Sequence, residues 1–253
     1  MIDNKDCIDY LKTLEDESVD LVLTDPPYAI GFDGGKGWDS QWKTEDEYLD
    51  WCKVWTEECA RVLKPNRMMV IWGTLKTDTF LRHKLEILNK IPELYGQNEI
   101  IWSYNWGGRI KNNFARKHEY AWCYSKGKDF LFNDHDIRVE RKVKKNLRTG
   151  KEHTQGTIPT CIWEKNNHTT SKDFIGWHPT TKNIDILERI IRAYSNEGDN
   201  VLDIFSGSGS TAVACVRSNR NFSGCELDQE YHEKSLIRID ESIGLTRFIN
   251  ADN

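Results

Sequence analysis

The five residues Thr24-Asp25-Pro26-Pro27-Tyr28 place groups suited to a nitrogen nucleophile in one short turn. Consecutive prolines fix the backbone and donate no amide hydrogen bond, which leaves a stiff corner with outward-facing carbonyls. The Asp25 carboxylate and the Pro26 carbonyl are pure acceptors one residue apart. Such a pair grips the two hydrogens of an exocyclic amine and turns its lone pair out of conjugation, towards an electrophile. Tyr28 adds a flat face on which an extruded base stacks. The plainer alternative is a strand-ending turn with a capping Asp and a core Tyr.

A second candidate is the run Val201-Leu202-Asp203-Ile204-Phe205-Ser206-Gly207-Ser208-Gly209-Ser210. Gly207 and Gly209 follow an apolar run and open a helical pattern, so the backbone there turns tightly and admits a ligand close to it. Asp203 ends the apolar run, where a carboxylate meets a cationic or hydroxyl-bearing cofactor, and Glu226 ends the next, where one accepts ribose hydroxyls. A free 2′-hydroxyl suits S-adenosylmethionine as well as NAD.

These two turns need strands behind them. Val19 to Leu23 is short, β-branched and closed by prolines, as a buried parallel strand is. Thr44-x-x-Glu47 predicts a capping box opening a helix with Tyr48, Trp51, Cys52, Trp55, Cys59 and Val62 on one face. Met68 to Trp72, Asn200 to Ile204 and Phe222 to Cys225 predict further buried strands; Ile100 to Trp106 and Glu119 to Tyr124 predict two more joined by a basic loop. Helices are expected around Ile184 to Tyr194 and Ser210 to Arg217. The alternation implies a mostly parallel sheet covered by helices on both faces, with ligands beyond the carboxyl ends of its strands.

The 253 residues suit one such domain, and 28 aromatics (10 Trp, 9 Tyr, 9 Phe) offset a mean hydropathy of −0.68. No apolar run approaches the roughly 20 residues of a membrane span, and the first residues begin no signal peptide. Seven scattered cysteines predict reduced thiols in a cytoplasmic protein rather than disulfides or a metal site. The net charge of −5 conceals an asymmetry: Ile100 to Lys182 holds 16 Lys and Arg against 8 Asp and Glu. A basic stretch on an acidic body suits a local phosphate-binding face, unless it is merely a solvated loop.

Together, Asp25-Pro26-Pro27-Tyr28 and Phe205-x-Gly207-x-Gly209 resemble the amino DNA methyltransferases that use S-adenosylmethionine. With the tetrapeptide first and the glycine motif last, the order is that of the permuted β group. Lys5-Asp6-Cys7 resembles that family's Gly-Asp-Cys element, and His178-Pro179-Thr180-Thr181-Lys182 its His-Pro-Thr-x-Lys element. Lys5, Asn183 and Ser210 depart from the family's Gly, Pro and Thr.

The resemblance implies a doubly wound, Rossmann-like α/β sheet of seven strands, circularly permuted, in a single catalytic domain over 1–253. It implies an inserted target-recognition region over 126–171, where no residue matches. Catalysis falls to Asp25, Pro26, Pro27 and Tyr28. The cofactor falls to Asp6, Cys7, Asp25, His178, Thr180, Lys182, Asp203, Phe205, Ser206, Gly207, Gly209, Ser210 and Glu226, and no metal is called for. Double-stranded DNA is the expected partner, through Arg109, Lys111, Arg116 and Lys117 in one loop and Arg138, Arg141, Lys142, Lys144, Lys145 and Arg148 in the insertion. A homodimer and a cognate restriction endonuclease are further partners known in the family.

The four glycines of Gly31-Phe32-Asp33-Gly34-Gly35-Lys36-Gly37-Trp38 suggest a mobile flap, with Trp38 or Trp42 near the vacated base; a surface loop with core tryptophans is the alternative. His118 closes the base pocket or is an ordinary core histidine. Adenine N6 is the expected target, because Asp at the first motif position is typical of adenine enzymes. Cytosine N4 and a catalytically silent DNA-binding relative are the alternatives. Protein-glutamine methylation is disfavoured by Asp in place of Asn and by the motif order.

Overall fold

In the computed structural model, residues 1–105, 110–141, 143, 145, 148–150, 152, 154–165 and 175–251 are described, with backbone alone over 245–251. The strands are β1 (Ile2–Asn4), β2 (Val19–Thr24), β3 (Leu63–Gly73), β4 (Leu94–Ser103), β5 (His118–Lys126), β6 (Ile162–Glu164), β7 (Asn200–Asp203) and β8 (Asn221–Glu226). The helices are α1 (Cys7–Leu11), α2 (Glu45–Val62), α3 (Thr79–Arg82), α4 (Ile184–Tyr194), α5 (Ser210–Arg217) and α6 (Gln229–Ala251).

Among the described residues, eight strands form one sheet in the order β1-β8-β7-β2-β3-β5-β4-β6. Neighbours from β1 to β3 run parallel; β5 is antiparallel to both β3 and β4, and β6 is parallel to β4. The expectation of seven strands falls one short because Ile162–Glu164, from the basic insertion, adds an edge strand. Trp102 fastens that edge, its indole N–H donating to the Lys165 carbonyl at 2.7 Å. A three-residue strand shows no period-2 signal, and the same reason hid β1.

Successive residues of the central strands enter opposite cores. Met69 and Ile71 pack with α1 and α2, whereas Met68, Val70 and Trp72 pack with α4 and α5. This two-sided burial is why β2 and β3 read as unbroken apolar runs. At α2, the Thr44 hydroxyl accepts from Glu47 N–H at 3.1 Å, while the Glu47 carboxylate reaches back to Lys43 N–H at 2.8 Å. The predicted cap is there, with its return bond one residue earlier than in a capping box. Asn183, where the family has proline, caps α4 by accepting from Ile186 N–H at 3.3 Å.

The strand order reverses between β7 and β2, so a crevice opens beyond their carboxyl ends. At the opposite end of the same pair, Asp20 is 5% exposed and ties three elements together. It accepts from Lys64 at 2.8 Å and from Asn200 N–H at 3.0 Å, and pairs with Arg67 at 3.1 Å. Asp20→Ala should lower stability by about 2–3 kcal/mol, the usual range for buried bonds to charged groups. Chemical denaturation measures the loss.

Candidate active site

Two strand ends distant in sequence meet at the crevice. The Thr24 hydroxyl donates to Asp203 Oδ1 at 2.8 Å across 179 residues of chain. Asp203 also accepts from the Thr211 hydroxyl at 2.7 Å and from Phe205 N–H at 3.1 Å. Burial raises its carboxyl to about 6, against the pull of these donors. Asp203 is therefore a keystone that sets the start of the glycine loop. It also lines the cavity, 3% exposed.

That cavity, of about 660 Å³, runs across the carboxyl ends of the strands. On the β7–β8–β1 side lie Asp6, Cys7, Phe205, Ser206, Gly207 and Glu226. Gly207 has φ +49°, and a Cβ there would stand 2.9 Å from His178 Nε2, so the loop admits no side chain. Glu226 accepts from Gly207 N–H at 2.7 Å and from Asp228 N–H at 2.9 Å, and burial raises its carboxyl. Gly209, at φ +73°, does not line the cavity; it is the N-cap of α5. The Ser210 hydroxyl lies 3.0 Å from that of Ser208 and accepts from Arg238 at 3.1 Å, so the replacement of threonine keeps a used hydroxyl. Phe205 packs edge-on against Trp55, with ring centroids 5.5 Å apart. The Asp6 carboxylate caps α1 through Oδ1, accepting from Ile8 N–H at 2.9 Å, and the Cys7 thiol is buried and held protonated.

On the β2–β3–β4–β5 side lie Asp25, Pro26, Tyr28, Thr74, Trp102, Tyr104, Arg116 and Glu119, with Lys182. Tyr28 donates its hydroxyl to Asp25 Oδ1 at 2.6 Å. The Lys182 ammonium pairs with Asp25 Oδ2 and, at 3.2 Å, with Glu119 Oε2. Burial works against the charge on Lys182, but Asp25 and Glu119 outweigh it and push the ammonium up to about 12. Lys182, assigned from the motif to the cofactor, thus turns its charge to the acceptor carboxylate. His178 and Thr180 line the cavity as expected; burial, aided by Lys182 and Arg238, pushes His178 down to about 4, so its imidazole is neutral. His178 Nδ1 accepts from Thr180 N–H at 3.3 Å.

Sequence reasoning missed what holds the Pro-Pro corner. Asp39, 2% exposed, accepts from four backbone N–H groups: Tyr28 at 2.6 Å, Ala29 at 2.8 Å, Ile30 at 3.1 Å and Phe32 at 2.9 Å. Tyr48 of α2 donates to the Pro27 carbonyl at 2.7 Å. A lone Asp in a glycine-rich run carries no pattern; the signal was a loop with more free N–H groups than acceptors. Asp33, also buried, accepts from Gly35 N–H at 2.9 Å and from the Ser40 hydroxyl at 2.6 Å. Lys36 reaches Asp228 at 2.9 Å and Glu230 at 2.8 Å. The segment expected as a flap is thus tied down at three points. Trp38 lines the cavity, but Trp42 packs on Tyr48 and Trp51 in the core, and His118 bonds the Tyr120 hydroxyl outside the cavity wall.

The expected DNA contacts divide. Arg109, Lys142 and Lys144 lie outside the described residues. Lys111, Lys145 and Arg148 are exposed. Arg116, which lines the cavity, donates to the Leu75 carbonyl, and Lys117 donates to that of Asn105 at 3.0 Å. Arg138 and Arg141 are bonded within the insertion: Arg138 pairs with Asp134 and donates to the Gly156 carbonyl at 3.1 Å, and Arg141 donates to that of Gln155 at 3.1 Å. These two staple the insertion.

Comparison with known proteins decides the family. The DNA methylase family of N6 and N4 type matches residues 19–237. The chain is a member of it. It is 35% identical to the type II methyltransferase M.HpaI of Haemophilus parainfluenzae, over 91% of this chain and 71% of that one. It is 34% identical to the DNA adenine methyltransferase YhdJ of Escherichia coli K12, over 93% and 81%. Among solved structures, the cytosine-N4-specific PvuII DNA methyltransferase superposes with a TM-score of 0.73 at 19% identity, covering 94% of this chain and 87% of that one, a likeness of fold. The M1.HpyAVI complex with S-adenosylmethionine gives 0.61 at 25% identity, over 94% and 98%. This amino DNA methyltransferase uses S-adenosylmethionine, and the cavity fits that cofactor: the side-chain-free approach at Gly207 and the carboxylate of Glu226 flank one compartment. No helix among the described residues is long and apolar enough to cross a membrane.

Asp39→Ala should lower kcat by about 100-fold, the effect of displacing a positioned group by about an ångström, while cofactor affinity changes little. Steady-state kinetics and calorimetry separate the two effects. Asp203 gives a second expectation. A carboxyl with a raised folded pKa adds stability at low pH that is lost as pH rises through about 6. The Tm difference between Asp203→Asn and the wild-type protein should therefore move in the variant's favour between about pH 4 and pH 7.

Proposed function

We propose that the protein methylates the exocyclic N6 of adenine in double-stranded DNA, the base being turned out of the helix into the cavity. The observation that carries this reading is the Asp25 carboxylate at the cavity wall, oriented by Tyr28 and Lys182. Each carboxylate oxygen has a second lone pair for the amine hydrogens. The Asp25 position and the adenine-specific name of a relative 34% identical both favour adenine over cytosine.

S-adenosylmethionine supplies a methyl group on a cationic sulfur. Asp25 and the Pro26 carbonyl hold the amine, fix its lone pair towards that methyl and stabilise positive charge developing on nitrogen. A bond forms between amine nitrogen and methyl carbon, the sulfur–carbon bond breaks, and the amine then loses a proton to solvent. No covalent enzyme intermediate is needed, and the buried, protonated Cys7 and Cys225 thiols have no part. Tyr28, Trp102 and Tyr104 provide apolar faces for the base. The sugar and cofactor amino acid fall to Glu226, Phe205–Ser206–Gly207 and His178–Thr180. The 126–171 region and the loop carrying Lys111, Arg116 and Lys117 face DNA, with Lys145 and Arg148 as phosphate contacts.

Incubation of unmethylated DNA with labelled cofactor, followed by mass spectrometry of the nucleosides, tests this directly. N6-methyladenine is expected; N4-methylcytosine would transfer the same chemistry to the other base. Asp25→Ala should abolish transfer and leave cofactor affinity within a few-fold. Unchanged turnover would remove Asp25 from its role.

A further inference from the structure

The contact between Lys182 and Asp25 poses a problem for amine methylation. Positive charge grows on the target nitrogen as the methyl arrives, yet a buried ammonium already touches the carboxylate that must stabilise that charge. Coulomb interaction between unit charges this close is large in a partly desolvated site. An Asp25–Lys182 pair alone is neutral and presents little field to a forming cation.

Glu119 alters that balance. It is the second residue of β5, lines the same cavity and pairs with the same ammonium at 3.2 Å. One ammonium is therefore shared by two carboxylates, and the cluster carries a net charge of −1. The ring of Trp72 covers the ammonium at 5.8 Å and that of Tyr28 at 5.5 Å, so little solvent screens it. We propose that Glu119 is a positioning residue for methyl transfer: by sharing the Lys182 ammonium that rests on Asp25, it keeps the buried cluster at one net negative charge, which Asp25 then offers to the developing cation. Lys182 in turn holds two carboxylates together that would otherwise repel, and locks the Asp25 rotamer. The inference rests on the amine-methylation reading and adds a residue that the motif does not contain.

The test uses the full chain with unmethylated bulk DNA, labelled S-adenosylmethionine and thermal melts of each variant. Glu119→Gln should lower kcat roughly 100-fold, the low end of the range for losing one preorganised electrostatic contact, with cofactor Kd and KM for DNA within about twofold. Glu119→Asp, which keeps the charge, should hold kcat within about threefold. Adding Lys182→Met to Glu119→Gln leaves Asp25 as the only charge of the three, restores the net −1 and should raise kcat above that of Glu119→Gln alone, a coupling that simple structural damage does not produce. Unchanged kcat in Glu119→Gln, equal losses in the Asp and Gln variants, or a double variant no faster than Glu119→Gln would each overturn the proposal. Wild-type protein that labels no nucleoside would overturn the methylation reading itself.

Discussion

The hydrogen bond from Thr24 to Asp203 joins the last residue of β2 to the last of β7. The placing of the two candidate turns side by side depends on that junction. One side of it carries the Pro-Pro corner, the other the glycine loop, and the reversal of strand order leaves a crevice between the helices that depart from them. The buried carboxylate at the junction is costly, since burial alone raises it towards neutrality, but three donors from three segments hold it. The fold thus stores an unfavourable charge at the point where two compartments of one cavity must stay aligned.

From this junction the two compartments acquire opposite characters. The proposed cofactor side is shaped by backbone: a left-handed glycine against His178, N–H groups directed at Glu226 and the edge-on packing of Phe205 against Trp55. The proposed acceptor side is shaped by charge: Asp25, Lys182 and Glu119 share a buried cluster, and Asp39 fixes the peptide groups that follow the Pro-Pro corner. A donor with a soft, cationic sulfur needs close approach, and a neutral amine becoming a cation needs negative potential. The division matches the two demands.

Much of this was legible in the residues. β2, β3, β7 and α5 are long or strongly patterned, and Pro26-Pro27 and Gly207-x-Gly209 are local devices whose geometry is fixed by the residue types themselves. What stayed hidden depends on contacts remote in sequence. Asp39 looks like any loop aspartate until four N–H groups converge on it. Lys182 belongs to a motif assigned to one compartment and directs its charge into the other, because Asp25, 157 residues away, is the nearer carboxylate. Arg138 and Arg141 read by type alone as phosphate-binding arginines; their bonds to the carbonyls of Gly156 and Gln155 had no pattern in the sequence. β6, three residues long, has meaning only against the edge of β4.

The central claim is that the corner after β2 and the loop after β7 serve one reaction centre. A crystal structure with a non-transferable analogue of S-adenosylmethionine tests it most directly. The account predicts the ribose of the analogue against Glu226 and its sulfur-position substituent pointing across the junction into the space beside Asp25, close enough to leave room for one amine nitrogen at roughly 3–3.5 Å. An analogue seated elsewhere, or bound in the crevice with that substituent turned away from Asp25, would contradict it.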